Sequence, residues 1–188
     1  MIQITDAAVE PISVTDFKTN TKVDGTGEDA STIPLYIGAA RRHFEAKTDR
    51  ILITQTWEEY YDYAPSYVYI QKAPLQSVTH IKYLDEDDVE QTLATASYTV
   101  DTKGVCPRIK IIDKPTVSDK INNFWVRFVV GYGDASTDVP QDMIMAVTYM
   151  ASHFYENRLP IVSGTVVNEV PMTFKSLTDP HRFYAISQ

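Results

Sequence analysis

Cysteine, glycine and basic charge are all scarce in this sequence. The chain has one cysteine (Cys106) and seven glycines, and 17 lysines and arginines stand against 25 aspartates and glutamates. One cysteine cannot form a disulfide within the chain, so the protein needs no oxidising compartment. The net charge of −8 argues against a phosphate-binding surface over the whole molecule, because such a surface needs a net positive field. A local basic patch remains open.

The sequence also lacks a long apolar run. No stretch approaches the roughly 20 residues that a membrane span requires, and residues 1–6 have neither the basic nor the apolar region of a signal peptide. We therefore expect no membrane segment and no secretory leader, and assembly in a cytosol. Hydrophobic residues make up 44% and charged residues 22%, which excludes a chain disordered throughout. The length of 188 residues predicts one domain, or one domain with a smaller insert.

Three helices are predicted, over about residues 13–21, 32–47 and 140–157. Ser13, Ser31 and Asp138 are the expected caps, with Pro34 and Pro140 in first turns. A small domain rarely buries a very wide apolar arc by itself, so part of the third helix is expected to pack against a neighbouring subunit. The apolar arc of that helix consists of Met143, Ile144, Val147, Met150, Ala151, Phe154 and Tyr155.

Residues 51–133 are predicted to be strands, because short runs of β-branched and aromatic residues alternate with Pro, Gly or Asp clusters. Residues 84–89 read as a hairpin turn, and the spacing is too short for βαβ crossovers. Residues 159–188 hold three prolines and many apolar residues without a clear period. The predicted fold is α+β: a small helical bundle of three or more helices with an inserted antiparallel β region and an extended C-terminal tail. We expect a single domain over 1–158 and a partner-docking tail over 159–188.

No constellation of residues predicts catalysis, a cofactor or a metal site. Gly131-Tyr132-Gly133 lacks the third glycine of a dinucleotide loop, and Cys106 has no local base. His153 and Glu156 have metal-ligand spacing but no second pair. Asp85–Asp88 lacks the other residues of a calcium loop. A hydrolase of nucleic acid or cell wall, with Glu58, Asp62 and Glu156 as acid and base, remains the alternative of a different class.

A basic group on the second predicted helix offers another possibility. Arg41, Arg42 and Lys47, with His43 and Arg50 nearby, are the candidates for contact with DNA or an acidic partner. A DNA-binding packaging factor would use them. The favoured interpretation is an exposed helix face with salt bridges to Glu45 or Asp49.

Several stretches follow one another in an informative order. They are Glu10-Pro11-Ile12-Ser13-Val14-Thr15, Ala39-Ala40-Arg41-Arg42, Thr48-Asp49-Arg50, Leu52-Ile53-Thr54-Gln55-Thr56-Trp57, Pro74-Leu75-Gln76-Ser77-Val78 with Ile81, Tyr83 and Asp85, Val130-Gly131-Tyr132-Gly133, Asp138-Val139-Pro140 and Tyr155-Glu156-Asn157-Arg158. In the order and spacing of these stretches, the chain resembles the head–tail connector (adaptor) proteins of long-tailed bacteriophages and gene-transfer particles. The resemblance covers about residues 10–158. One departure is Asp49, which stands where many relatives have glycine. The tail has no pattern that matches.

The resemblance implies a structural virion protein and no enzyme or cofactor. Such adaptors form a ring, commonly of twelve copies, between the portal protein and a stopper or tail-completion protein. The ring extends the channel through which DNA passes without specific binding, in the neck of a virion assembled in the host cytoplasm. The wide apolar helix suits heterologous subunit contacts, and the apolar tail suits docking on a partner. We expect the subunit interface at Val147, Met150, Phe154 and Tyr155, and docking on the portal or another partner through Val166, Val167, Met172, Phe174, Leu177 and Phe183.

Overall fold

Two compact units make up the chain in the computed structural model, which describes residues 1–22, 29–104, 106–157 and 172–182. The helical unit consists of Ala8–Ile53 and Gly133–Arg182. The β unit consists of Met1–Ala7 and Thr54–Tyr132. Ile53 and Gly133, where the helical unit gives way to the β unit and resumes, form a parallel β bridge with each other. The predicted α+β class is confirmed, while the domain boundary at residue 158 stays a prediction.

Four α-helices lie among the described residues of the helical unit. They are α1 (Val14–Thr21), α2 (Asp29–Thr48), α3 (Gln141–Glu156) and α4 (Met172–Thr178). Ser13 caps α1 as predicted: its Oγ accepts a hydrogen bond from the Asp16 N–H at 3.0 Å. The helix α2 begins three residues before the predicted start, so Pro34 lies inside it rather than in its first turn. Pro34 is exposed there, at the cost of one backbone hydrogen bond.

Asp138 does not cap α3, contrary to the sequence prediction. Pro140 occupies the N-cap position, and Asp138 ends a preceding 3₁₀ turn, where its carboxylate accepts from the Ala135 N–H at 3.0 Å. This turn explains Gly133: a Cβ at that position would lie within 2.6 Å of the Asp138 Cβ. Glycine is therefore required at this position, because the Asp138 side chain occupies the space that a Cβ would need.

Asp49 terminates α2 in a left-handed conformation, with φ of 54°. Its N–H donates to the Glu45 carbonyl at 2.9 Å, the arrangement that a helix C-terminus commonly adopts. Glycine is the usual residue in this conformation and aspartate is among the few others that adopt it. Aspartate in place of the glycine of many relatives is therefore compatible with the same turn at this position.

The larger sheet of the β unit has five antiparallel strands, which lie side by side in the order β1 (Ile2–Thr5), β2 (Gln55–Tyr61), β8 (Phe124–Val130), β4 (Leu75–Leu84) and β5 (Glu90–Thr92). Phe124, Val126, Phe128 and Val130 alternate as predicted and are fully buried in the central strand. The strand β1 was not predicted: Ile2 and Ile4 alternate with Gln3 and Thr5, but the run is only four residues long.

A smaller sheet completes the β unit. Its three antiparallel strands lie in the order β3 (Tyr67–Tyr69), β7 (Arg108–Ile111) and β6 (Tyr98–Asp101). Val68 and Ile109 pair across the first two strands and are fully buried, so one face of the sheet belongs to the core. The residues on either side of this pair belong to the other face: Tyr67 and Tyr69 on β3, and Arg108 and Lys110 on β7.

Candidate assembly surfaces

Arg41 lies inside the helical unit and is only 2% exposed. Its Nε donates to Glu10 Oε2 at 2.9 Å, and its Nη1 donates to Glu45 Oε2 at 3.1 Å. The other Glu45 oxygen accepts from the Leu52 N–H at 3.0 Å. This network fastens the segment before α1 and the segment after α2 to the helix itself. The structure therefore corrects the prediction of Arg41 as a contact for DNA: its charge is buried and paired.

The two other basic candidates on α2 differ from Arg41 and from each other. Arg42 is exposed. Lys47 is partly buried: its Nζ donates to Thr178 Oγ1 at 2.7 Å and lies 3.3 Å from Asp179 Oδ1. Lys47 therefore binds the end of α4. Of the three residues predicted to contact DNA or an acidic partner, Arg42 is the one that is exposed.

The helix α3 buries most of its apolar arc within its own unit. Val147 and Met150, both predicted at a subunit interface, are buried in the protomer. The structure corrects the prediction for these two residues: they lie in the core of the helical unit, where α2 and α4 pack against α3. Phe154 and Tyr155 are partly exposed. The Tyr155 ring meets Phe17 and Tyr36 edge to face, at centroid distances of 6.4 and 6.2 Å.

A different pair of α3 residues is left exposed. Met145 and Tyr149 are 48% and 42% exposed, and residues four apart share one face of a helix. Sequence reasoning missed the pair, because the apolar arc marked on this helix, from Met143 to Tyr155, includes neither Met145 nor Tyr149.

The tail contains a helix that the sequence pattern did not reveal. Phe174 in α4 is 0% exposed; its ring lies 5.3 Å from the His43 ring and 5.2 Å from Lys47 Nζ. The predicted docking role is therefore corrected for Phe174, which belongs to the core of the helical unit. Leu177 is partly exposed, whereas Met172 is 86% exposed. Val166, Val167 and Phe183 lie outside the described residues.

The three carboxylates of the hydrolase alternative lie on different elements of the structure. Glu58 lies on β2, and Asp62, in the turn after it, accepts from the Asn122 N–H at 2.7 Å. Glu156 is on α3 in the other unit. A cleft of about 480 Å³ in the helical unit is lined by two other carboxylates, Glu10 and Asp134, but both Glu10 oxygens accept hydrogen bonds from Arg41. Within the described ranges, no group of three His, Cys, Asp or Glu residues is placed to hold a metal ion.

Two neighbouring glutamates on β2 have opposite electrostatic environments. Burial raises the pKa of Glu58, but hydrogen bonds from Tyr60 and Arg127 outweigh it, so the pKa lies below its ordinary value. Arg127 Nε lies 2.6 Å from Glu58 Oε1, and Tyr60 donates to Oε2 at 2.5 Å. For Glu59, burial dominates and raises the pKa. Its Oε2 is buried with no hydrogen-bond partner in the part of the chain that the structure describes.

The smaller sheet presents an aromatic and basic face, which we call the small-sheet face. Tyr67 on β3 is opposite Lys110 on β7, and Tyr69 is opposite Arg108. The two tyrosine rings stack at 6.2 Å with an angle of 28°. The face encloses a concavity of about 410 Å³ lined by Tyr67, Thr99, Asp101, Arg108, Lys110 and Ile112. Sequence reasoning missed it, although alternation in Tyr67–Tyr69 and Arg108–Lys110 was the available signal.

An acidic turn joins β4 to β5, and we call residues 85–89 the acidic hairpin tip. Asp85 Oδ1 accepts from the N–H groups of Asp87 and Val89, at 3.1 and 2.9 Å, which confirms the predicted turn. Asp88 pairs with Lys120 at 2.8 Å. Glu86, Asp87 and Val89 are exposed at the end of the hairpin.

The family model and the solved structures that match this chain both come from virion assemblies. The family model described as head completion protein matches residues 10–169. Three solved chains superpose on the whole of this chain and on 98% of their own length. A chain from the neck of an empty gene transfer agent particle computed with C6 symmetry has a TM-score of 0.80 and 21% identity. A chain from the virion of a native gene transfer agent particle has 0.78 and 21%. A chain from the neck of a native particle computed with C12 symmetry has 0.75 and 19%.

These three likenesses demonstrate a shared fold. No curated protein sequence matches the chain significantly. No helix in the described part of the chain has the length and apolar character of a membrane span.

Proposed function

The chain belongs to the head completion protein family, and from this membership we propose that it is a structural connector at the junction of virion head and tail. In this proposal, copies of the chain form a ring in the particle neck between the portal protein and a stopper or tail-completion protein. The ring extends the channel for DNA. The family match over residues 10–169 is the observation that carries the proposal, since it spans the β unit after β1 and α1 through α3.

The proposed ring has twelve copies. Chains of the same fold occur in gene transfer agent necks computed with C6 and C12 symmetry, and a ring requires heterologous contacts that close by rotation. We propose that Met145 and Tyr149 on α3, together with the partly exposed Phe154 and Tyr155, lie in the contact between neighbouring copies. Exposed aromatic and methionine side chains are enriched in such interfaces.

The electrostatics support passage of DNA without specific binding. The net charge is −8, and Arg41 is neutralised by Glu10 and Glu45. A wall of this kind does not retain a polyanion. For the portal or another partner, the proposed contacts are Val166, Val167, Met172, Leu177 and Phe183, among which Met172 has the exposure that docking requires.

The experiment is to delete the gene and restore it with a labelled chain, then view particle necks by electron microscopy. We expect heads that do not join tails without the chain, and a ring of label in the neck when it is restored. Complete infectious particles made without the chain would contradict the proposal. So would turnover of a nucleic-acid or cell-wall substrate by the isolated protomer.

A further inference from the structure

We propose that the small-sheet face of one copy receives the acidic hairpin tip of the next copy in the ring. The inference rests on the proposed function, because it specifies one contact between the copies. It concerns two surfaces of the β unit that the helical contacts at Met145 and Tyr149 do not involve.

The small-sheet face has the composition of a binding surface. Tyr67 and Ile112 are exposed although both are large and apolar, and tyrosine and arginine are over-represented among residues that dominate binding energy. Arg108 lies 3.3 Å from Asp101, whereas Lys110 has no hydrogen bond or ion pair within the described segments. The concavity therefore offers apolar area beside an uncompensated positive charge.

The acidic hairpin tip has the complementary chemistry. Asp85 is occupied in closing the turn and Asp88 in its pair with Lys120. The Glu86 and Asp87 carboxylates make no such contact with any residue that the structure describes. Val89 adds an exposed apolar side chain beside them. The rigid turn thus presents two negative charges and one apolar group to a partner.

A second copy fits these observations better than DNA does. Asp101 stands in the small-sheet face beside Arg108 and would repel a phosphate backbone. In each protomer Glu86, Asp87 and Val89 are exposed, so a copy's tip does not fill its own concavity. Copies with a net charge of −8 repel one another unless opposite charges meet locally. Because the tip and the face are different surfaces, their contact is heterologous and suits a closed ring.

Charge reversal tests the contact in particles. One variant carries Arg108→Glu and Lys110→Glu, a second carries Glu86→Lys and Asp87→Lys, and a third combines all four. We expect each of the first two to lower the number of chains incorporated per particle by at least about tenfold, and the combination to restore most of it. The matched control is Lys103→Glu with Lys114→Glu, which makes the same charge change outside the concavity and should leave incorporation unchanged.

Cross-linking identifies the partner directly. In a Cys106→Ser background, Asp87→Cys and Lys110→Cys are introduced into the same chain and the particles are oxidised. We expect a ladder of multiples of 21.3 kDa, because the bond joins different copies, and either cysteine alone should give no ladder beyond dimers.

The outcomes separate this inference from the function on which it rests. Incorporated chains with no ladder and no loss from charge reversal overturn the inference and leave the connector role intact. Loss from the face variant alone, without loss from the tip variant, assigns the face to another neck protein or to DNA and also overturns it. Absence of the unaltered chain from particle necks defeats the proposed function itself.

Discussion

Glu58 and Glu59 are adjacent on β2 but face opposite sides of the sheet. Glu58 lies opposite Arg127 and Glu59 lies opposite Val126, both on β8. Side chains alternate along a strand, so one step along the chain replaces an arginine with an apolar neighbour. The pKa of Glu58 is consequently lowered and that of Glu59 raised.

The two residues should give opposite dependences of stability on pH. A lowered folded pKa means that Glu58 stabilises the fold above the unfolded pKa of about 4.3, and that this contribution is lost as the pH falls through the folded value. For Glu59 the folded pKa is raised, so stability is lost as the pH rises from about 4.3 through the folded value. Urea denaturation between pH 3 and pH 8 measures both effects.

Each glutamate provides the control for the other. We expect Glu58→Gln to reduce the free energy of unfolding at neutral pH and flatten its decline in acid. Glu59→Gln should increase the free energy of unfolding at neutral pH. Changes of the same sign in the two variants would contradict the assignment of their environments.

Arg41 should be required for folding rather than for binding DNA. Arg41→Ala leaves Glu45 buried and without this partner, and removal of one member of a buried pair costs about 3–5 kcal/mol. Arg42→Ala, one position along α2 and exposed, should change the free energy of unfolding by less than ~0.5 kcal/mol. Chemical denaturation compares them. Equal effects of the two substitutions would show that burial of Arg41 is not what matters.

The two sides of α3 should respond differently to a charge. Val147→Asp places an unpaired carboxylate in the core, and we expect it to unfold the helical unit. Tyr149→Asp affects an exposed position, so the chain should stay folded by circular dichroism but fail to complete particles. A folded Val147→Asp variant, or full particle yield from Tyr149→Asp, would count against this division of the helix.

In the tail, α4 separates a core residue from a docking residue. Phe174→Ala should lower the free energy of unfolding by about 3–5 kcal/mol, because it empties a fully buried aromatic site. Met172→Ala removes a side chain that is almost fully exposed and should leave the unfolding transition unchanged. A reduced yield of joined heads and tails from Met172→Ala alone would support docking, whereas a loss of stability from it would oppose that role.

The regular elements could be predicted because their patterns are local. Alternation in Phe124–Val130 predicted a half-buried strand, and Ser13 with an apolar run predicted the start of α1. The order of the strands could not be predicted, because β2, β8 and β4 pair across long stretches of chain. The short helix α4 has only two buried positions four residues apart, Phe174 and Thr178, which is too few to reveal a period.

The candidate surfaces were predicted less well than the fold. A sequence shows that Arg41, Val147 and Phe174 are basic or apolar, but burial depends on residues distant in the chain. Glu10 lies 31 positions from the arginine it neutralises. The small-sheet face likewise forms only when Tyr67 and Lys110 are brought opposite each other. Exposure and pairing are properties of the tertiary structure, and they decide which candidates remain available to a partner.

The bridge between Ile53 and Gly133 has a practical consequence for engineering this chain. Its two members stand side by side although 79 residues lie between them in the sequence. Because the bridge is parallel, a linker must turn back before it enters Gly133, and we expect a glycine linker of about a dozen residues to join the two halves of the helical unit. We therefore expect connectors with smaller or exchanged inserts to form on the same helices, so that the neck could be altered one module at a time.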